Sequence, residues 1–354
     1  MSAVVATVAE SGSPRRLTGI EAGRGIAATL VVLYHVARHL DANFGAPLLK
    51  AIFQFGHAGV DFFFVISGFV ILFVHYEDIG NPSRLTHYVG RRFTRLMPTY
   101  WVATTLALGL ILGGTHPLPS PVELAWSASL LPSHHVMVVG VAWTLQYEVL
   151  FYTAFCVLIV NRTAGLIVLT VWLSVIALAA LTALDASWLP PQFRGAFGVE
   201  FFLGMAVAWL LRVREVPHAH VVWVTGLVLF GAAALCEDLK ILNGYADGAR
   251  LAYGIPAALI VLGIAQADRQ NRLRVPATLR RLGSASYSIY LFQIIFLGTA
   301  WQALLAAHLE RRLPVVAEFL ICVVFVVLGG VVMSAWVEYP LMRLCRRRSA
   351  TIRL

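Results

Sequence analysis

The stretch Arg24–His35, with the sequence RGIAATLVVLYH, lies inside the first hydrophobic segment of the chain and decides how the rest is interpreted. Between its two ionisable ends it reads as a helix that crosses a bilayer. Eleven helical steps amount to about three turns, so Arg24 and His35 share one face, roughly 16 Å apart along the axis. Ionisable groups at such depth are costly unless they face a protein interior or a watered cavity. We therefore predict that both face the interior and serve the protein's function.

The composition indicates a polytopic membrane protein. Of the 354 residues, 59% are hydrophobic and only 13% are charged, and the mean hydropathy is +0.78. A soluble domain carries about a quarter charged residues. The fold class that follows is all-α, built from membrane-spanning helices.

Apolar runs of about 20 residues are the length that a spanning helix needs, and the chain contains ten of them. The sixth and eighth are the weakest, because Glu200, Gly254 and Pro256 interrupt them. The predicted spans are Gly19–Leu40, Gly56–Tyr76, Met97–Gly114, Val141–Val160, Ala164–Leu184, Gly195–Leu211, Ala219–Cys236, Arg250–Ala267, Ala285–Ala306 and Val315–Glu338.

The basic residues predict the orientation, because Lys and Arg are enriched in cytoplasmic loops. With ten spans, 20 of the 27 Lys and Arg residues fall on one side of the membrane and 7 on the other. Both termini are thus predicted to be cytoplasmic, with a cytoplasmic tail over 1–18, a membrane domain over 19–340 and a basic tail over 341–354. The net charge of +9 is an orientation signal, so we predict no nucleic-acid partner for this multi-pass membrane protein.

Two further spans carry carboxylates. Asp61 lies near the start of the second span, where it could orient an imidazole, bind a sugar hydroxyl or pair with an arginine. Ser67, one turn and a half later, is expected to bond to its own helix. Glu148 lies inside the fourth span and needs a cation or hydrogen-bond donors there, for which an Arg or His of a neighbouring helix is the natural partner.

The run Arg91–Trp101 precedes and opens the third span. Arg92 and Arg95 can share a helix face, and guanidinium groups recognise phosphate oxygens through paired donors. Ordinary positive-inside anchoring explains them equally well. Pro98 is predicted to begin the next helix.

Metal sites are not predicted. Four single cysteines lie far apart in the sequence: Cys156, Cys236, Cys322 and Cys345. The pair His134 and His135 has no third ligand at a usual spacing.

In their order along the chain, these segments resemble the acyltransferase-3 family of integral membrane acyltransferases. The resemblance covers the whole chain and rests on six motifs. They are R-x10-H in the first span, GVDFFFVISGF in the second, RRFxRLxP before the third, WTLxxExxFY in the fourth, YSIYLF in the ninth and ExP at the end.

The resemblance implies transfer of an acyl group, with acetyl expected, from acyl-CoA to a hydroxyl of a carbohydrate or glycoside acceptor at the lipid bilayer. It also implies that this membrane is the bacterial inner membrane. It implies that Arg24 and His35 are essential, with His35 as catalytic base or transient acyl carrier. Glu148 corresponds to the family's acid in the fourth span, and we include Asp61 with the candidate catalytic residues. The resemblance assigns the donor's phosphates to Arg91, Arg92 and Arg95, to which we add Tyr100 of the same run.

One departure concerns Gln293, where many members of the family have His; a neutral amide can act here only through hydrogen bonds. The alternative function is a proton-coupled transporter or permease for a saccharide, in which His35, Asp61 and Glu148 form a proton relay. Against it, spans one to five and six to ten show no matching interruptions of the kind that transporter repeats share.

Overall fold

The computed structural model describes residues 17–114, 118–181, 185–309 and 312–351, and within these ranges helices are joined by turns and loops and no β-strand occurs. This confirms the predicted all-α class. Most of the predicted N-terminal tail, the last three residues of the fifth predicted span and the last three of the chain lie outside the described residues. The α-helices are α1 (Thr18–Phe44), α2 (Pro47–Phe53), α3 (Gly59–His75), α4 (Leu85–Leu112), α5 (Pro121–Ser129), α6 (Trp143–Val160), α7 (Arg162–Ala180), α8 (Pro191–Arg194), α9 (Phe197–Val213), α10 (Ala219–Asp238), α11 (Asp247–Arg269), α12 (Ala277–Ala306), α13 (Val315–Met333) and α14 (Tyr339–Thr351).

Within the described ranges, nine helical segments are long and apolar enough to cross a membrane. They coincide with nine of the ten predicted spans, and the chain is a polytopic membrane protein. The remaining predicted span, Gly195–Leu211, corresponds to α9, which has 17 residues. At 1.5 Å per residue this helix is about 25 Å long, somewhat less than the hydrocarbon core of a bilayer.

Helix α4 differs from its prediction in a way that matters for the site. Pro98 was predicted to begin a helix, and this is wrong: α4 begins at Leu85 and continues through Pro98 to Leu112. A proline inside a helix removes one hydrogen bond and disfavours the preceding turn, yet the packed bundle keeps the helix continuous here. Consequently Arg92 and Arg95 lie on a regular helix, one turn apart and on one face.

Helices α3 and α9 pack with their backbones in close contact, as small residues allow between membrane helices. A Cβ atom placed on Gly68 of α3 would lie 2.1 Å from the carbonyl oxygen of Phe201. A Cβ on Gly204 of α9 would lie 2.0 Å from the carbonyl oxygen of Val65. The two glycines therefore let α9 dock along α3 despite its short length.

Helix α1 lies among α3, α11, α12 and α13, and the side chains on its inner faces are buried. It ends at Gly45, whose left-handed backbone (φ 66°) lets its N–H bond to the carbonyl of Asp41. At the other end of the chain, the π-helical turn Ser334–Glu338 joins α13 to α14, and α14 packs on α4. Helices α1, α3, α4, α6 and α12 together line a cavity.

Candidate active site

The cavity has an empty volume of about 770 Å³, part of which is open to the surroundings. Its apolar lining includes phenylalanines and branched side chains of α3. Two hydrogen bonds close its sides: Tyr287 of α12 donates to the carbonyl of Leu96 at 2.8 Å, and Tyr290 donates to that of Val141 at 3.1 Å. The cavity is thus a pre-formed space between packed helices.

The charged groups that line it are three guanidinium groups, Arg24, Arg92 and Arg95, and one carboxylate, Glu148. Arg24 and Arg95 form neither a hydrogen bond nor an ion pair with any residue that the structure describes. Arg92 donates to His75. The lining therefore has an excess of positive charge and two guanidinium groups whose donors are not used by the protein.

Glu148 is held by hydroxyl groups. Ser67 of α3 donates to Glu148 Oε1 at 2.7 Å, and Tyr152 donates to Oε2 at 3.1 Å. The expectation that Ser67 bonds to its own helix is wrong, because α3 turns this hydroxyl towards α6. The expected Arg or His partner of Glu148 is also absent among the described residues, since no cation lies within the 4.0 Å of an ion pair. Glu148 and Arg24 share the cavity without forming such a pair.

Two of the predicted donor-binding residues do not line this cavity. Arg91 is exposed on α4, with His87 as its neighbour at 3.4 Å. Tyr100 is completely buried and donates to the carbonyl of Ser127 at 2.7 Å. It thereby attaches α4 to α5.

His35 lies outside the cavity, further along α1 than Arg24. Its Nδ1 is 3.0 Å from the carbonyl oxygen of Val31 and 3.2 Å from Gln293 Oε1. The amide orientation of Gln293 follows from its own bond, because its Nε2 donates to the carbonyl of Tyr290 at 2.9 Å. Tyr290 lines the cavity, so Gln293 links its wall to His35.

These contacts determine the tautomer of His35. Both neighbours of Nδ1 are acceptors, so Nδ1 carries the proton and Nε2 of the neutral ring holds the free lone pair. Nε2 has no hydrogen-bond partner among the described residues and is not sealed from access. The ring is therefore presented as a base or nucleophile through Nε2.

Asp61 lies elsewhere and is completely buried. Both of its oxygens accept from Arg250 Nη1, at 2.6 and 2.7 Å, and Arg250 also donates to the carbonyl of Gly244. Glu200 of α9, a second buried carboxylate, acts on Asp61 electrostatically. The sequence left three roles open for Asp61, and the observed contacts match the one in which it pairs with an arginine.

A polar cluster that the sequence did not reveal lies beside His35, at the end of the bundle where α1 ends. His57 Nε2 is 3.0 Å from Glu237 Oε1, and Tyr253 donates to Oε2 of the same carboxylate at 2.6 Å. The ring of Tyr34 lies between the two imidazoles, with centroids 5.0 Å from His35 and 5.6 Å from His57. The sequence signal available was Glu237 at the end of an otherwise apolar span.

The rim of this cluster consists of Arg38 and Tyr245, both exposed. Arg38 Nη1 donates to the hydroxyls of Tyr34 at 2.9 Å and Tyr245 at 2.8 Å, and Gln54 donates to Tyr245 at 2.8 Å. Arg38 and Tyr245 are thus the exposed members of a hydrogen-bonded cluster, and its Tyr34 ring contacts the ring of His35.

No hydrogen bond joins His35, Asp61 and Glu148 to one another in the part of the chain that the structure describes. In the same ranges, no three His, Cys, Asp or Glu side chains converge as a metal site would require.

Comparison with known proteins agrees with the resemblance. The family model described as an acyltransferase domain, of the acyltransferase-3 family, matches residues 17–335. The exopolysaccharide production protein ExoZ of Rhizobium meliloti (strain 1021) is 29% identical over 320 residues, which cover 84% of this chain and 93% of the relative. No solved structure matches. The chain belongs to the acyltransferase-3 family and is a membrane acyltransferase.

The pairing of Asp61 with Arg250 generates a prediction about stability. Asp61→Leu leaves a buried guanidinium without its carboxylate and should cost about 3–5 kcal/mol, whereas Asp61→Leu with Arg250→Met should recover much of the loss. Apparent melting temperatures of the purified protein in detergent would measure both. A single variant that keeps wild-type stability but loses activity would instead place Asp61 in the chemistry.

Proposed function

We propose that this protein transfers an acyl group, acetyl as the expected case, from acyl-CoA to a hydroxyl of a carbohydrate, with a cell-surface polysaccharide as the first candidate acceptor. Family membership supports acyl transfer, and the printed name of the relative supports a polysaccharide. The single observation that supports acyl-CoA as the donor is the excess of guanidinium groups in the cavity lining.

The donor would bind in the cavity as a substrate. The phosphates of CoA are the anions that match Arg92 and Arg95, because guanidinium groups bind phosphate oxygens through paired donors. Arg24 would contact the donor further along its arm. To reach His35, about 16 Å further along α1, the arm would have to pass the wall that Tyr290 and Gln293 form between the cavity and His35.

Two routes use the free Nε2 of His35. In the first, Nε2 removes the proton of the acceptor hydroxyl while the oxygen attacks the acyl carbonyl, and CoA leaves as the thiolate. In the second, Nε2 itself attacks the carbonyl and releases the thiolate, and the acceptor hydroxyl later takes the acyl group from the ring while losing its proton. Gln293 and the carbonyl of Val31 would hold the ring for either route.

The acceptor would approach from the end where α1 ends, past Arg38 and Tyr245, whose side chains are exposed beside the cluster around His57. The opposite end would face the cytoplasm, where acyl-CoA is made, in agreement with the basic residues that the sequence concentrates on that side. We accordingly propose the bacterial inner membrane, with both termini cytoplasmic.

The catalytic role of His35 predicts a loss of transfer in His35→Ala. Membranes with equal amounts of wild type, His35→Ala and His39→Ala would receive acetyl-CoA labelled on the acetyl group, and label would be followed into glycan and protein. Because loss of a general base lowers rates by about 10²–10⁴-fold, we expect almost no label in glycan with His35→Ala.

His39 is the matched control, one turn further on α1, and His39→Ala should retain most of the transfer. Label that passes through the protein first would select the acyl-histidine route. Equal transfer by His35→Ala and wild type would show that His35 takes no part in the chemistry. If wild type transferred no label from any acyl donor, the transporter would become the favoured function.

The cavity also predicts which arginines bind the donor. Arg95→Ala should weaken binding of acetyl-CoA about tenfold or more, as expected for a charged hydrogen bond, and Arg91→Ala should weaken it by about twofold at most, since Arg91 lies outside the cavity. Arg162→Ala, at an exposed arginine of α7, is the control for net charge. Isothermal titration of the purified proteins would measure the affinities, and equal losses in all three variants would show that the cavity does not select the donor.

A further inference from the structure

Arg92 differs from the other cavity arginines in that neighbouring side chains hold it. Its Nη2 donates to His75 Nε2 at 3.0 Å, and its guanidinium carbon lies 5.8 Å from the ring centroids of both Tyr88 and Tyr152. Its Nε is buried without a partner in the described structure. Among the described residues, Arg24 and Arg95 have no comparable contacts.

The proton positions in this contact are determined by chemistry. A guanidinium can only donate, so His75 Nε2 is the acceptor, and Nδ1 of the neutral ring carries the proton. That proton points to Asp78 Oδ2 at 2.7 Å. Asp78 therefore selects the tautomer of His75, and the tautomer supplies the acceptor for Arg92.

The surroundings make this arrangement rigid. The ring of His75 is only 2% exposed and contacts the ring of Tyr88 edge-on, with centroids 4.9 Å apart. Arg84 lies 3.7 Å from the second oxygen of Asp78. Arg92 has one nitrogen, Nη1, that is neither bonded to another described residue nor sealed by its neighbours, and Arg92 lines the cavity.

We propose that His75 and Asp78 are positioning residues for the donor: they fix the guanidinium of Arg92 so that Nη1 is presented to a phosphate oxygen of acyl-CoA. The inference rests on the proposed function, because it assumes that the cavity takes acyl-CoA. A guanidinium that is already oriented loses less conformational entropy when the ligand binds. Arg24 and Arg95, which form no hydrogen bond or ion pair with a described residue, would then reorient towards the phosphate bound by Arg92.

A purely structural role for His75, as a tie between the end of α3 and α4, makes a different prediction. In that case replacing His75 would disturb the bundle whether or not Arg92 is present. If His75 acts through Arg92, its replacement should have no further effect once Arg92 is gone. A double-mutant cycle separates the two roles.

The experiment measures binding of acetyl-CoA to the purified full-length protein in detergent, for wild type, His75→Phe, Arg92→Ala and the double variant. His75→Phe keeps an aromatic ring against Tyr88 but removes the acceptor. We expect it to weaken binding about tenfold, the size of one hydrogen bond to a charged group, and to change the affinity of Arg92→Ala by less than about twofold.

Two further variants keep the test decisive if His75→Phe folds poorly. In His75→Gln the side-chain oxygen can take the place of Nε2 as acceptor for Arg92, so affinity should return to within a few-fold of wild type. Asp78→Ala keeps the imidazole but removes the group that selects its tautomer, and should weaken binding less than His75→Phe does.

An equal loss on replacing His75 in the wild-type and Arg92→Ala backgrounds would overturn the positioning role while leaving the donor cavity intact. If wild type does not bind acetyl-CoA, or if Arg92→Ala binds it as tightly as wild type does, the proposed donor site itself fails and this inference fails with it. The affinities of wild type and Arg92→Ala therefore distinguish the two failures.

Discussion

The dominant physical constraint on the candidate site is an excess of positive charge enclosed by membrane helices. Three guanidinium groups and one carboxylate line the cavity between α1, α3, α4, α6 and α12, and the carboxylate, Glu148, is already bonded to two hydroxyls. Charges that are shielded from water and lack partners are unfavourable in a bilayer protein. Phosphate groups carry negative charge, so a lining of this kind favours an anionic ligand.

Helix α1 extends from this cavity to the second polar region, the cluster around His57 beside His35. Arg24 belongs to the cavity, and His35, three turns further along the same face, belongs to the surroundings of Gln293 and Tyr34. The two residues therefore do not act on one atom together. In our proposal they contact different parts of a long donor, and the chemistry occurs where the arm of the donor ends and the acceptor arrives.

Much of this architecture follows from the sequence because hydropathy and helix length are strong local signals. Nine predicted spans coincide with helices long enough to cross a membrane, and α9, with 17 residues, is about one turn shorter than the roughly 20 residues that a span needs. Helical geometry alone predicts that Arg24 and His35 share one face of α1. Pro98 misled the prediction, because a proline that usually marks a helix start is tolerated here inside α4.

The partners of the site residues could not be predicted, since they depend on how helices rotate against one another. Ser67 bonds to Glu148 of α6, and this direction depends on the rotation of α3, which packs closely on α9. Asp61 and Arg250 are 189 positions apart, and His57 and Glu237 are 180 apart. One sequence carries no local signal for such pairs. His75 and Arg92 are only 17 positions apart in the sequence. Their contact nevertheless depends on the turn between α3 and α4, which places the two side chains side by side.

The most direct test of the account is the structure of the protein with bound CoA, measured as the positions of its phosphates and of its sulfur atom. We predict phosphate oxygens within hydrogen-bond distance of Arg92 and Arg95, with the arm passing Arg24 and the sulfur directed along α1 towards Nε2 of His35. CoA bound outside this cavity, or bound in it with the sulfur directed away from His35, would contradict the account.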